Sequence, residues 1–200
     1  MKKEQFEWIN SWCDEADKND LPRVLMIGDS ITFGVYEFVK ESLRGKAYVD
    51  RLTSSYALDS PLYKKLVTEF VKNSKYQAIY FNNGLHGYHL KGASYKRRVE
   101  PIIEFLNKSA KMVIALSTIV YLKGNKKIDS RWDKKIKERN SALKEIAEKN
   151  GINVVDLYEI STKTPLNLRN PDGTHYEQEG YKTLAEAITK ELIEALDENK

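Results

Sequence analysis

Five short runs of consecutive apolar residues punctuate the chain: VLMI at 24–27, AYV at 47–49, AIYF at 78–81, MVIAL at 112–116 and INVV at 152–155. A strand with one wet face alternates apolar and polar positions, whereas a strand covered on both faces is apolar throughout. The runs therefore predict strands of a parallel sheet. Between them the apolar spacing changes to three and four residues. The sets are Phe33, Tyr36, Val39 and Leu43; Leu62, Leu66, Val67 and Phe70; Val99, Ile102, Ile103 and Leu106; Ile136, Leu143, Ile146 and Ala147; and Tyr181, Leu184, Ala185, Ile188 and Leu192. Each set marks the buried stripe of a helix whose other side carries Lys and Glu. Strand and helix alternate, and right-handed crossovers turn that rhythm into an α/β fold: a three-layer α/β/α sandwich, flavodoxin-like, around a parallel sheet of about five strands.

Ahead of the first run, Phe6, Trp8, Ile9 and Trp12 predict a helical extension over 1–20 that packs against the body. No repeat and no linker rich in Gly, Pro or Ser divides the 200 residues, which read as a single domain. The long polar stretch at 161–180, with Pro165, Pro171, Gly173 and Gly180, predicts an irregular loop between the last strand and the last helix.

Hydrophobic residues at 41% and charged residues at 31% are those of an ordinary globular protein. The 33 basic and 29 acidic residues leave a net charge of +4, spread along the chain. The Lys-rich stretch at 123–139 mixes both signs and reads as a loop leading into an exposed helix, so a nucleic-acid partner is not expected. Cys13 is alone, which excludes an internal disulfide. No signal-like leader and no membrane-length apolar run is present, so the chain as written reads as cytoplasmic, without a membrane partner. None of these patterns bears on oligomeric state.

Three polar clusters follow strands and converge where this architecture binds ligands, at the carboxyl ends of the strands: GDSITFG at 28–34, NNGLHGYH at 82–89, and PDGTH at 171–175. Taken alone, Asp29 and Ser30 read as caps of the helix that follows. Ser30 also sits where a nucleophile profits from unpaired amides. His175 can serve as its base, and Asp172, three residues earlier, can orient the imidazole. His86 and His89 form an HxxH without a clear third ligand, so no metal is expected.

GDSI at 28–31, followed about 140 residues later by DGTH at 172–175 before the last helix, resembles the SGNH (GDSL-type) hydrolase superfamily. The resemblance implies an esterase or acylhydrolase that needs no cofactor. It makes Ser30 the nucleophile, His175 the base and then the leaving-group acid, Asp172 its orienting partner, and the Ser30 amide an oxyanion donor. The family's asparagine donor has no direct counterpart. Aligning Gly84 with the family glycine puts His86 at that position and Gly87 where aspartate is expected, with Asn83 one residue ahead, so either His86 or Asn83 can donate. The family glycine after the second strand is missing too, which passes its role to a backbone N–H between Thr53 and Ser55. Substrate contacts are expected from Asp29, Ser55 and Tyr88. Tyr88, Tyr95 and Tyr121 either line a sugar-binding surface or cover the rim. The expected function is a serine ester hydrolase removing a short acyl group, acetyl first, from a carbohydrate or other polar alcohol. The alternative is a non-catalytic glycan-binding member of the same fold with a degraded oxyanion hole; a flavodoxin-like binding module fits less well, since GDSITFG is a poor phosphate cradle.

Overall fold

The computed structural model describes residues 2–124 and 127–197. In chain order the elements are β1 (Ile9–Trp12), β2 (Arg23–Gly28), α1 (Ser30–Ser42), β3 (Tyr48–Ser54), α2 (Pro61–Lys72), β4 (Ala78–Phe81), α3 (Gly92–Ser109), β5 (Lys111–Ala115), α4 (Ser130–Asn150), β6 (Asn153–Val155), α5 (Leu157–Lys163) and α6 (Gln178–Asp197). A 3₁₀ turn at Leu166–Leu168 interrupts the long loop before α6.

The sheet runs β1-β3-β2-β4-β5-β6. The five strands from β3 to β6 are parallel; four of them lie on apolar runs, while β3 begins in AYV and continues through Asp50, Arg51, Leu52, Thr53 and Ser54. Their residues alternate between two cores. Val24 and Met26 of β2, Tyr80 of β4 and Val113 of β5 meet Val35 and Val39 of α1 and Leu184 and Ile188 of α6 on one face. Leu25, Ile27, Ile79, Phe81, Met112 and Ile114 meet Val67 of α2, Val99 and Ile103 of α3, and Leu143 and Ile146 of α4 on the other. Both halves of the two-residue period are buried, which is why the runs are apolar throughout.

The sixth strand replaces the helix expected over 1–20. Ile9–Trp12 pairs antiparallel with β3, Ile9 opposite Ser54 and Trp12 opposite Arg51. The free edge of β3 offers a ladder of unpaired backbone groups, and β-branched and aromatic residues fit a pleated surface. Phe6 and Trp12 stay exposed, so their helical spacing marks no buried stripe. The α2 stripe is also turned from its expected position: Leu62 is exposed while Tyr63, Val67 and Val71 are buried.

β2 and β4 are neighbours, and their chains leave the sheet in opposite senses, β2 toward β3 and β4 toward β5. The crevice above them is the topological switch point. GDSITFG leaves β2 on one side of it, and NNGLHGYH leaves β4 on the other. No helix among the described residues is long and apolar enough to cross a membrane.

Candidate active site

Gly28 ends β2, and a Cβ there would overlap the Thr32 side chain, so only glycine permits so abrupt a turn into α1. Asp29 caps the helix: its Oδ1 accepts the Ile31 N–H at 2.9 Å. Ser30 is the first helical residue, with a backbone N–H that has no intrahelical acceptor. Capping falls to Asp29, and the Ser30 hydroxyl is left for other work. Asp29 is fully buried, which corrects its expected place among substrate contacts. Its Oδ2 has no hydrogen-bond partner, and burial raises its pKa against the lowering charges of His86 and His175 and the Ile31 amide.

His175 reaches Ser30 from the loop before α6. Its Nε2 lies 2.8 Å from Ser30 Oγ, and its Nδ1 lies 2.5 Å from Asp172 Oδ2. The other Asp172 oxygen accepts the N–H groups of Thr174 at 2.8 Å and His175 at 2.9 Å. Burial opposes ionisation of this carboxyl, but the His175 hydrogen bond and those two amides outweigh it and hold its pKa below the usual value. Gly173 makes the turn at φ +86°, and a Cβ there would overlap the Tyr121 carbonyl. Arg169 pins the base of the loop between the rings of Tyr121 and Tyr176, at 4.6 and 4.8 Å, and donates to the Ser161 carbonyl.

The third cluster is built around Arg139. Its guanidinium is fully buried and donates to four carbonyls of the loop after β4: Gly84 at 2.7 Å, His86 at 2.8 Å, Gly87 at 2.7 Å and Leu90 at 3.0 Å. The 123–139 stretch is thus not an exposed face throughout. Arg139 belongs to the buried stripe of α4 with Ile136, Leu143 and Ile146, and three-residue spacing from Ile136 is the signal that marks it. Asn83 is buried, its side-chain amide lacks hydrogen-bond partners, and its carbonyl accepts the Tyr95 hydroxyl. The His86 side chain is 17% exposed, and its Nδ1 lies 2.9 Å from Glu4 Oε2. Glu4, which holds His86 and the Gly87 N–H, has no motif around it to announce that contact.

Other expected contacts are placed differently. Ser55 is buried and tied to the N-terminal segment: its Oγ accepts the Trp8 N–H at 2.9 Å and its own N–H donates to the Trp8 carbonyl at 3.1 Å. Thr53 and Ser54 stand opposite Asn10 and Ile9 in the sheet register. The Ser55 N–H and hydroxyl are therefore both taken by Trp8, and Ser55 is not free to meet substrate. Tyr88 is exposed, but it packs edge-on against Trp132 and under the Lys135 ammonium. Tyr95 is buried. His89 bonds Asp59 at 2.9 Å, so the two histidines of the HxxH serve different carboxylates.

Residues 93–188 match the family model of the GDSL-like Lipase/Acylhydrolases. That stretch contains Asp172 and His175 and stops short of Ser30. No curated protein matches the chain. Among solved structures, a lipase/acylhydrolase from Enterococcus faecalis superposes with a TM-score of 0.70 at 19% identity, covering 86% of this chain and 95% of that one. A catalytic mutant of an acetylxylan esterase from Geobacillus stearothermophilus gives 0.71 at 16% identity, over 86% and 94%. The catalytic domain of a Streptococcus pneumoniae peptidoglycan O-acetyltransferase gives 0.68 at 18%, over 88% and 96%. These likenesses show a shared fold.

Proposed function

We propose that this chain, whose residues 93–188 match the GDSL-like Lipase/Acylhydrolase model and whose fold is shared with a solved lipase/acylhydrolase, is a serine hydrolase that removes a short acyl group, acetyl first, from a carbohydrate or other polar alcohol. The observation that carries the reading is the unbroken chain from Ser30 Oγ through both nitrogens of His175 to Asp172. In this reading His175 takes the Ser30 proton as Oγ attacks the ester carbonyl, and Asp172 holds the Nδ1–H tautomer and steadies the imidazolium that forms. The proton then passes to the departing alcohol, and water, activated by the same imidazole, releases the acid from the acyl-enzyme.

The tetrahedral oxyanion needs donors fixed before it forms. The Ser30 amide at the start of α1 is one. His86 is a better second donor than Asn83, because the Asn83 amide is sealed from solvent while no protein group among the described residues bonds His86 Nε2. An ordered Ser30–His175–Asp172 chain argues against the glycan-binding alternative, which has no use for one. A short acyl group on a glycan is supported by the esterase and O-acetyltransferase neighbours, whose names specify acetyl groups on xylan and peptidoglycan.

A series of p-nitrophenyl esters from acetate to octanoate tests acyl preference, and acetylated oligosaccharides test the alcohol. kcat/KM should be highest for acetate, with acetate released from the oligosaccharides. A preference that rises with chain length would reject the short-acyl assignment.

A further inference from the structure

We propose that Glu4 is a positioning residue that keeps His86 doubly protonated, so that the oxyanion is met by a charged imidazolium. The inference rests on the hydrolase reading and on His86 as donor, and it extends the site to the N-terminal arm.

The geometry of the arm carries it. Glu4 Oε2 is 2.9 Å from His86 Nδ1, and Glu4 Oε1 accepts the Gly87 N–H at 3.0 Å, so one carboxylate grips both the ring and the backbone beside it. Trp8 stands edge-on to the His86 ring at 6.5 Å between centroids, and is itself held at both backbone groups by Ser55. The arm thereby fixes which nitrogen of His86 faces a carboxylate.

That fixed choice has a chemical consequence. A neutral imidazole carries one N–H. If Nδ1 gives its proton to the Glu4 bond, Nε2 of the neutral ring presents a lone pair, which repels an oxyanion. Only the imidazolium donates at both nitrogens. An amide donor at this position would do the same work without titrating.

The charges around His86 favour the cation. Glu4 faces it from the arm and Asp29 from the β2–α1 turn, both opposing its positive charge, while Arg139 of α4 lies behind the loop with like charge. Burial pulls the His86 pKa down, but the Glu4 hydrogen bond and the charges of Asp29 and Glu4 outweigh it and leave the value above the usual one. Glu4 is correspondingly held below the usual carboxylate value: burial opposes this, and the His86 hydrogen bond and charge overcome it. The resulting enzyme has two histidines needed in opposite states, His175 neutral as base and His86 protonated as donor.

The test compares wild type, Glu4→Gln and His86→Gln. Hydrolysis of p-nitrophenyl acetate and fluorophosphonate labelling of Ser30 are followed from about pH 5 to about pH 10, and the His86 ring resonance is titrated by NMR in wild type and Glu4→Gln. Wild type should give a bell-shaped profile. Glu4→Gln should move the alkaline limb and the His86 NMR midpoint down by about one pH unit or more while the acid limb stays in place. His86→Gln, with an amide that does not titrate, should lose the alkaline limb. An NMR midpoint that does not fall in Glu4→Gln, or an alkaline limb that survives in His86→Gln, overturns the proposal. Failure of wild type to label at any pH overturns the hydrolase reading and the proposal with it, whereas labelling with an unmoved alkaline limb overturns the proposal alone.

Discussion

His175 Nε2 and Ser30 Oγ stand 2.8 Å apart although 145 residues separate them in the chain. A strand end delivers one and a pinned loop the other. Ser30 follows β2 directly, and His175 lies on the loop that begins after α5 and is pinned by Arg169. Because Asp172 holds the far nitrogen of the ring, Asp172→Asn should lower kcat by about ten-thousand-fold with little change in KM, through loss of the productive tautomer. His175→Ala should cost at least as much, and the double variant no more than His175→Ala, since the residues act as a unit. Steady-state kinetics on an activated acetate ester check this; additive losses would contradict it.

Gly173 shapes the turn between the two. Its φ of +86° and the closeness of the Tyr121 carbonyl exclude a Cβ without movement of the loop. Gly173→Ala should cost about 1–3 kcal/mol of stability. It should also lower kcat at temperatures where the variant remains fully folded. A melting curve paired with kinetics well below the transition separates the two effects.

Arg139 is the buried organiser of the opposite rim. If the guanidinium is removed, the carbonyls of Gly84, His86 and Leu90 lose this donor, and the Gly87 carbonyl keeps only the Leu90 N–H. Arg139→Met should destabilise by about 3 kcal/mol or more, since each orphaned buried carbonyl carries its own desolvation penalty. Arg139→Lys should recover little of this, because an ammonium cannot spread over the same fan of acceptors. Urea unfolding measures both.

Docking of the N-terminal arm should depend on pH in both directions. The His86 pKa is raised in the fold, so its contribution is complete below the ordinary value of 6.5 and is lost as pH rises through the raised value. The Glu4 pKa is lowered, so its contribution is complete above the ordinary value of 4.5 and is lost as pH falls through the lowered value. The arm should therefore be most resistant to limited proteolysis between those two ordinary values, and Glu4→Gln should abolish that maximum.

How far these features could be read from the sequence follows from where their causes lie. The parallel strands are legible where burial on both faces makes an apolar run continuous, as with Val24 to Ile27; of β3 only the start is marked, because its buried Asp50, Arg51, Thr53 and Ser54 are polar. β1 is not legible, because its own Ile9 and Trp12, like Phe6 before them, are exposed, and pairing with β3 rather than burial defines the strand. Ser30, Asp172 and His175 stand in short motifs with a local turn chemistry. Glu4 and Arg139 act across 82 and 52 residues on the same loop, and nothing in their local sequence records that partner. The same distant pairing explains Ser55: no local signal shows that Trp8 occupies it.

Activation of the Ser30 nucleophile by His175 is tested most directly by covalent capture. Incubation of the folded protein with a fluorophosphonate, followed by peptide mass spectrometry, should place one adduct on the peptide containing Ser30. The adduct should be absent in Ser30→Ala and form far more slowly in His175→Ala. A folded protein whose Ser30 stays unmodified, or whose labelling is indifferent to His175, would contradict it.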